Sequence, residues 1–154
     1  MRQLVKTGAD VTVLDNMVYG HAVALVDPEV KLVKGDLGDA SVVYPLLMKG
    51  NFDAVIHFAA FINVWESVQN PLKYYMNNIA RPLVLLGAMQ AAGVKRFVFS
   101  STCATYGVPT QIPIPETEKQ DPINPYGSSK YMLEKVCRDC DRAWGLKSVF
   151  LRYF

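Results

Sequence analysis

A tyrosine and a lysine one helical turn apart are the residues of this sequence best suited to proton transfer. Tyr126 and Lys130 belong to the run Tyr-Gly-Ser-Ser-Lys, so a helix places both side chains on one face. A phenol has a pKa of about 10, and a nearby cation favours its ionised form. The spacing therefore predicts that Lys130 makes Tyr126 a usable base near neutral pH.

Thr102 can supply a hydroxyl to the same site. It ends the run Phe-Val-Phe-Ser-Ser-Thr, whose aromatic and β-branched residues are typical of a buried strand. A hydroxyl at the strand end can hydrogen-bond the substrate oxygen from which Tyr126 takes a proton. We therefore predict a catalytic group of Thr102, Tyr126 and Lys130, in which Thr102 and Tyr126 contact substrate.

A helix that begins at Asn124 must position the tyrosine and the lysine. Asn is a favoured helix cap, and Pro125 at the first helical position costs no hydrogen bond. Elsewhere, apolar periodicity predicts strands over 11–15, 30–37, 53–60, 95–101 and 147–152, and helices over 1–7, 39–48, 66–92 and 124–145. This alternation predicts an α/β fold built on a parallel sheet.

Two features of these elements give sharper expectations. Pro45 and Pro82 fall inside predicted helices, where a proline removes a hydrogen bond and clashes with the preceding turn at a cost of about 3 kcal/mol. We expect Pro45 to interrupt its helix and Pro82 to disturb the local geometry. The apolar run 53–60 predicts a strand covered on both faces, and His57 within it is predicted to be a core histidine.

Composition indicates a small-molecule partner. The chain has 154 residues, 51% of them hydrophobic, which is enough for one core. A net charge of +2 without a basic run does not indicate binding to nucleic acid or to an anionic membrane. The sequence contains no apolar stretch of the ~20 residues that a membrane span needs, so we expect a cytoplasmic location.

The three cysteines are predicted to be reduced. Cys137 and Cys140 fit the C-x-x-C pattern, but a zinc site needs a second pair of ligands that the sequence does not provide. Both cysteines share one helical stripe with Leu133, Val136 and Trp144. We therefore predict core packing for them and no metal site.

Three blocks together resemble a known family. Phe-Val-Phe-Ser-Ser-Thr, Pro-Ile-Asn-Pro-Tyr-Gly-x-x-Lys and Leu-Arg-Tyr-Phe occur in this order. In these blocks, and over essentially all 154 residues, the chain resembles the extended short-chain dehydrogenase/reductase superfamily, and within it the UDP-glucose (UDP-galactose) 4-epimerases. The resemblance implies a Rossmann-like, doubly wound, three-layer parallel sheet and NAD as cofactor. It also implies a homodimer that inverts C4 of a UDP-hexose through a 4-keto intermediate, as in galactose metabolism.

The resemblance also implies a set of cofactor contacts. In such proteins an acid that ends the second strand accepts hydrogen bonds from the adenosine ribose, and Asp15 stands at that position. An acid and an apolar residue that bracket adenine correspond to Asp36 and Leu37. The complete set implied by the resemblance is Asp15, Asn16, Asp36, Leu37, Phe58, Ala59, Ala60, Asn77, Tyr126, Lys130 and Phe154.

The sequence departs from this family at several points. Trp65 and Gly87 replace a usual glycine and glutamate, and Arg81-Pro82 replaces a usual Gly-Thr. The glycine-rich loop and the central first strand are expected ahead of residue 1, and a substrate domain beyond residue 154. Residues 1–154 are therefore predicted to be a partial NAD-binding domain whose sheet is in two parts.

Three other functions are considered at this point. Selectivity for UDP-arabinose or UDP-N-acetylglucosamine stays open, as does a catalytically inactive chain that binds a partner. A nucleotide-sugar dehydratase is disfavoured, because such enzymes usually carry Asp-Glu where this chain has Cys103 and Ala104.

Overall fold

Parallel strands alternate with helices in a computed structural model that describes residues 1–25 and 28–154. The described strands are β1 (Thr12–Asp15), β2 (Lys31–Lys34), β3 (Val55–His57), β4 (Arg96–Thr102) and β5 (Lys147–Tyr153). The described α-helices are α1 (Arg2–Lys6), α2 (Ala40–Gly50), α3 (Val64–Gln69), α4 (Pro71–Tyr75), α5 (Arg81–Ala92) and α6 (Pro125–Trp144). Short 3₁₀ turns lie at Ala22–Ala24 and Cys103–Thr105. The predicted α/β fold of Rossmann-like type is confirmed.

The strands form a sheet in two parts. β1 pairs with β2, and Thr12 lies opposite Lys31. The second part has the order β3-β4-β5, with Phe97 of β4 opposite Val55 on one side and Ser148 on the other. All of these pairings are parallel. The separation of the described strands into two groups agrees with the sequence-based prediction.

One face of the second sheet carries the core. Phe97 and Phe99 of β4 are almost fully buried, together with Leu133 of α6. On the opposite face, Ile56 and Val149 are 42% and 55% exposed. The prediction that 53–60 is a strand covered on both faces is therefore wrong, because β3 is short and only one of its faces packs on the described helices.

Helix α2 continues through its proline. The side chain of Asp39 caps it by accepting a hydrogen bond from the N–H of Ser41 at 2.9 Å. Val43 and Leu47 are buried on the side of α2 that packs against α5. Burial of two such side chains contributes about 1.5–3 kcal/mol each, which offsets the cost of Pro45. The predicted interruption at Pro45 is therefore absent.

The predicted single helix over 66–92 is divided. α3 ends at Gln69, α4 begins at Pro71, and the π-helical turn Met76–Ala80 separates α4 from α5. Pro82 is the second residue of α5 and is buried. A π turn changes the carbonyl that each N–H must reach, so it relieves the clash and the missing donor of a proline that follows it. The expected disturbance near Pro82 is confirmed, whereas the continuous helix is wrong.

The described helices include none that is both long and apolar enough to cross a membrane.

Candidate active site

The predicted catalytic residues lie where the end of β4 meets the first turns of α6. Asn124 caps α6, because its side chain accepts a hydrogen bond from the N–H of Gly127 at 2.8 Å. A Cβ on Gly127 would lie 2.5 Å from the carbonyl oxygen of Ala104. Glycine at this position therefore lets the start of α6 approach the turn that follows Thr102, as the predicted proton-transfer site requires.

Thr102 and Tyr126 are brought close together. The Thr102 side chain lies near enough to the phenol to act on its pKa as a hydrogen-bond partner. The Thr102 oxygen also accepts a hydrogen bond from the N–H of Ala104 at 3.2 Å, which fixes its position. Burial raises the pKa of Tyr126, and the hydrogen bond from Thr102 lowers it by a smaller amount. The predicted hydroxyl pair is therefore present in the structure, and its phenol is protonated at neutral pH.

Lys130 is buried beside this pair, with only 2% of its surface exposed. Its Nζ donates a hydrogen bond to the carbonyl oxygen of Ser100 at 2.7 Å. It lies 4.9 Å from the centre of the Phe99 ring and 5.9 Å from that of the Tyr126 ring. Burial lowers the pKa of Lys130 to about 8.

The expectation that Lys130 lowers the pKa of Tyr126 is wrong for the structure as it stands. The pKa of Tyr126 is raised by burial. The reason is geometric, because the ammonium group donates to the backbone carbonyl of Ser100 and lies 5.9 Å from the centre of the tyrosine ring. The desolvation of the phenolate is therefore the larger effect.

A separate open cleft of about 280 Å³ lies between the β1–β2 part and the helices that follow β3. Its walls are Asn16, Val18, Asp36, Phe61, Lys73, Met76, Asn77 and Arg81. Three of the predicted cofactor residues, Asn16, Asp36 and Asn77, are therefore together. The side chain of Asn16 donates to Asp36 at 3.1 Å, which links the ends of β1 and β2.

Arg81 is a cleft residue that was not among the predicted site residues. Its Nη1 donates to the Asn77 side chain at 2.7 Å and lies 3.2 Å from Asp36 Oδ2. A Cβ on Gly38 would lie 2.7 Å from Cγ of Arg81, so the glycine leaves room for the arginine. The signal in the sequence was the departure at Arg81 itself, which replaces a small residue in the resembling family.

The carboxylate of Asp36 is stabilised in its ionised form. Partial burial acts to raise its pKa, but the N–H of Gly38, the Asn16 amide and the Arg81 guanidinium together lower it below the ordinary value. Gly38 donates to Oδ1 at 2.8 Å. Asp36 is therefore a fixed negative charge in the wall of the cleft.

The remaining predicted cofactor residues lie outside the walls of this cleft. Asp15 ends β1, and its Oδ1 accepts a hydrogen bond from the N–H of Met17 at 2.7 Å. Leu37 packs against the core. The exposed or half-exposed residues that follow β3 and β5 are Phe58, Ala59, Ala60 and Phe154. Each follows the carboxyl end of its strand, but they do not gather into one pocket.

Asn78 is a second residue that sequence reasoning missed. It is 2% exposed, and its amide donates to the carbonyl of Phe61 at 3.0 Å and to Ser129 Oγ at 3.2 Å. Its Oδ1 accepts from the N–H of Phe61 at 2.9 Å. Asn78 therefore fastens the segment after β3 to α6, next to Lys130. The Asn-Asn pair was visible in the sequence, but nothing local distinguished the structural residue from Asn77.

His57 and the two cysteines of α6 are potentially reactive side chains, but their role here is packing. His57 is 4% exposed between Phe97 and Phe99, and burial lowers its pKa to about 3. Burial raises the pKa of Cys137 to about 12, and both Cys137 and Cys140 pack in the core, as predicted. Within residues 1–25 and 28–154, no group of three or more His, Cys, Asp or Glu side chains is arranged to hold a metal ion.

Comparison with known proteins defines the class to which this arrangement belongs. The model of the NAD dependent epimerase/dehydratase family matches residues 1–154. The chain therefore belongs to that family. A UDP-glucose 4-epimerase from Lacticaseibacillus casei is 48% identical over 154 residues, which are 100% of this chain and 46% of that protein. The chain thus spans about half the length of the curated relatives it matches.

Two solved structures show the same architecture. The UDP-Glc/GlcNAc 4-epimerase of Campylobacter jejuni is 45% identical with a TM-score of 0.95, and the match covers 99% of this chain and 48% of that one. UDP-glucose 4-epimerase from Brucella ovis, in complex with NAD, is 42% identical with a TM-score of 0.95 and coverages of 99% and 46%. The resemblance inferred from the sequence is confirmed.

Proposed function

We propose that the whole protein is a UDP-sugar 4-epimerase that interconverts UDP-glucose and UDP-galactose with NAD as its cofactor. The observation that carries this proposal is the grouping of Thr102 with Tyr126, and of both with Lys130, which is buried one turn further along α6. This is a proton-transfer group at the carboxyl end of a parallel strand, where ligands bind in open α/β sheets. The relatives named as UDP-glucose 4-epimerases support the same reaction.

The residues present fit a dinucleotide. Asp15 and Asp36 place carboxylates at the ends of β1 and β2, and Asn16 and Asn77 add amide donors and acceptors beside them. Ribose hydroxyls and an adenine amino group are donors that such carboxylates accept. We assign these residues, together with Leu37, Phe58, Ala59, Ala60, Lys130 and Phe154, to the binding of NAD. When bound, NAD supplies the hydride acceptor for C4 of the sugar.

The chain's own residues handle the proton. We propose that Tyr126 takes the proton of the C4 hydroxyl group and that Thr102 holds the same oxygen by a hydrogen bond. Because burial raises the pKa of Tyr126, the phenolate needs an added stabilising charge in the loaded site. Lys130 is the cation within reach of it, since its Nζ needs to leave only the Ser100 carbonyl to turn toward the phenol oxygen.

Dehydration is a weaker alternative. The two residues after Thr102 are Cys103 and Ala104, which form a 3₁₀ turn and provide no carboxylic acid for the elimination of water. Selectivity for an N-acetylated sugar is a second candidate, because the Campylobacter jejuni relative is named for both UDP-Glc and UDP-GlcNAc. We also expect a homodimer in the cytoplasm, which sedimentation analysis and cell fractionation would test.

The central test is the substitution Tyr126→Phe in the whole protein. Removal of a positioned acid–base group should lower turnover about 10²–10⁴-fold while UDP-sugar affinity changes little, because the ring is retained. The matched control is Tyr131→Phe, one residue beyond Lys130 on the same helix. The assay measures conversion of UDP-galactose, UDP-N-acetylgalactosamine and UDP-arabinose to their C4 epimers. Near-parental turnover of Tyr126→Phe would assign the proton transfer to another group.

A further inference from the structure

A fully buried carboxylate lies directly behind the candidate catalytic residues. Glu134 is one helical turn after Lys130 on α6 and is 0% exposed. Its Oε1 accepts a hydrogen bond from Ser101 Oγ at 2.6 Å and one from Arg152 Nε at 3.1 Å. Its Oε2 accepts from Arg152 Nη2 at 2.8 Å. The carboxylate therefore joins three elements, β4, β5 and α6, at one point.

The contact with β4 falls within the catalytic strand end. Ser101 lies between Ser100, whose carbonyl accepts from Lys130, and Thr102, whose side chain acts on the pKa of Tyr126. Glu134, one helical turn after Lys130, thus hydrogen-bonds Ser101, the strand residue that lies between Ser100 and Thr102. Any shift of Ser101 relative to α6 changes the Lys130–Ser100 and Thr102–Tyr126 distances together.

The same network reaches the segment 107–121, which follows Thr102 along the chain. Arg152 Nη1 donates to the phenol of Tyr106 at 2.7 Å and to the carbonyl of Glu116 at 3.3 Å. Gln120 donates to Glu134 Oε2 at 3.0 Å. The described part of 107–121 has no helix or strand of its own, and these contacts tie it to α6 and β5.

A buried ion pair is a poor source of net stability, because desolvation of the two charges consumes most of their attraction. Breaking such a pair is costly, however, since it leaves a buried charge without a partner. The pair is therefore better suited to fixing one geometry than to raising overall stability. Because the ion pair contacts Ser101, the geometry that it fixes is that of the strand end from Ser100 to Thr102.

We propose that Glu134 and Arg152 are positioning residues, which hold Ser100–Thr102 against Tyr126 and Lys130 and clamp the segment 107–121 beside them. Neither residue contacts the reacting atoms. The proposal rests on the proposed epimerase function for its kinetic consequence. The clamp on 107–121 also restricts the motion of that segment, and this effect can be measured whether or not the protein is an epimerase.

The kinetic test uses the charge-preserving substitutions Glu134→Asp and Arg152→Lys in the whole protein. Each keeps the charge but shortens or simplifies the contact, so that one carboxylate can no longer reach both Ser101 and the arginine fork. Misplacement by about 1 Å costs on the order of 10²-fold in rate. We expect kcat for UDP-galactose to fall at least tenfold and KM to change by less than about threefold, at a temperature where circular dichroism shows the variants fully folded.

Two controls separate positioning from simple loss of stability. Arg142→Gln removes an exposed ion pair with Asp139 on the same helix, 2.9 Å across, which is separate from the Glu134 network. Val43→Ala opens a cavity in α2, far along the chain from the site, and lowers stability. Both should leave kcat within about twofold of the parent. An equal loss of kcat in Val43→Ala, or an unchanged kcat in Glu134→Asp, would overturn positioning.

Hydrogen exchange tests the clamp without reference to catalysis. Amides of 107–121 should exchange at least tenfold faster in Glu134→Asp and Arg152→Lys than in the parent, whereas Arg142→Gln leaves them unchanged. Unchanged exchange in the first two variants would overturn the clamp. If the parent protein shows no epimerase activity with any UDP-sugar, the proposed function fails, and the exchange result still decides for or against the clamp.

Discussion

The two parts of the sheet are stabilised by different kinds of contact. In the part that carries the proposed catalytic residues, β4 is seven residues long, pairs on both sides and has Phe97 and Phe99 almost fully buried. In the other part, β1 and β2 are four residues each, and neither contains a buried residue. The first part is therefore fixed by apolar packing, and the second mostly by strand pairing and by polar contacts open to water.

Two kinds of contact connect the two parts of the sheet, one of them buried and apolar and the other exposed and charged. α2 packs its buried Val43 and Leu47 against α5, and Arg81 bridges to Asp36 at 3.2 Å. The proposed catalytic residues Thr102, Tyr126 and Lys130 depend on buried contacts, whereas the cleft depends on exposed ones. Substitutions in the two parts should therefore affect different properties, namely stability and turnover in the first and cofactor affinity in the second.

The largest expected difference between the parts is in stability. Phe97→Ala, in the buried face of β4, should lower the free energy of unfolding by about 3–5 kcal/mol. Leu32→Ala, in the half-buried β2, should lower it by about 1 kcal/mol, because less apolar surface is removed from contact. Urea unfolding followed by circular dichroism measures both. Equal losses would mean that the two parts are equally well packed.

A second prediction concerns the pH dependence of stability. Burial lowers the pKa of Lys130 to about 8, whereas an unfolded lysine titrates near 10.5. Between these pH values the unfolded state binds more protons, so raising the pH stabilises the folded state. The unfolding free energy of the parent, relative to that of Lys130→Met, should therefore rise by about 3 kcal/mol from pH 7 to pH 11.

The control for this measurement is Lys135→Met, which replaces an exposed lysine of the same helix. Its curve should run parallel to that of the parent. A pH-independent difference between the parent and Lys130→Met would show that the lysine is not desolvated as its burial indicates.

In the cofactor part, the expected effect is on selectivity. We propose that Asp15 lies beside the adenosine ribose, where its carboxylate would repel the 2′-phosphate of NADP, so Asp15→Asn should narrow the preference for NAD over NADP by about tenfold. Calorimetric titration of the whole protein with each dinucleotide gives the ratio of affinities. Asp10→Asn, at an exposed acid just before β1, is the matched control and should leave the ratio unchanged. An unaltered ratio in Asp15→Asn would remove this residue from the cofactor site.

The smallest expected effect is that of the exposed bridge between the two parts. Arg81→Met should cost less than about 1 kcal/mol at pH 7, because both partners are about one-third exposed and water screens them. The pKa of Asp36 is lowered in the folded state, so the contribution exists above the ordinary carboxyl range and is lost as the pH falls through the folded pKa. Thermal unfolding at pH 7 and pH 2.5 measures it. An equal loss of stability in Arg81→Met at both pH values would show that the ion pair between Arg81 and Asp36 does not contribute.

The candidate site shows how far local sequence information extends. The spacing of Tyr126 and Lys130, the cap at Asn124 and the hydroxyl of Thr102 at a strand end were all predictable. Each depends on periodicity and on neighbours a few residues away. The cysteine stripe of α6 was predictable for the same reason, whereas the two-part sheet was expected only from the family resemblance, in which the first strand is central.

Only the tertiary structure determined the pKa values and the hydrogen-bond partners of those residues. The raised pKa of Tyr126 and the bond from Lys130 to Ser100 follow from burial and from a partner thirty positions away along the chain. The contacts of Arg81 with Asp36 and of Glu134 with Arg152 join residues on different elements, so no local pattern announced them. Periodicity in the sequence therefore fixed which side chains share a face, whereas desolvation and pairing, which set their chemistry, arose only when the elements packed together.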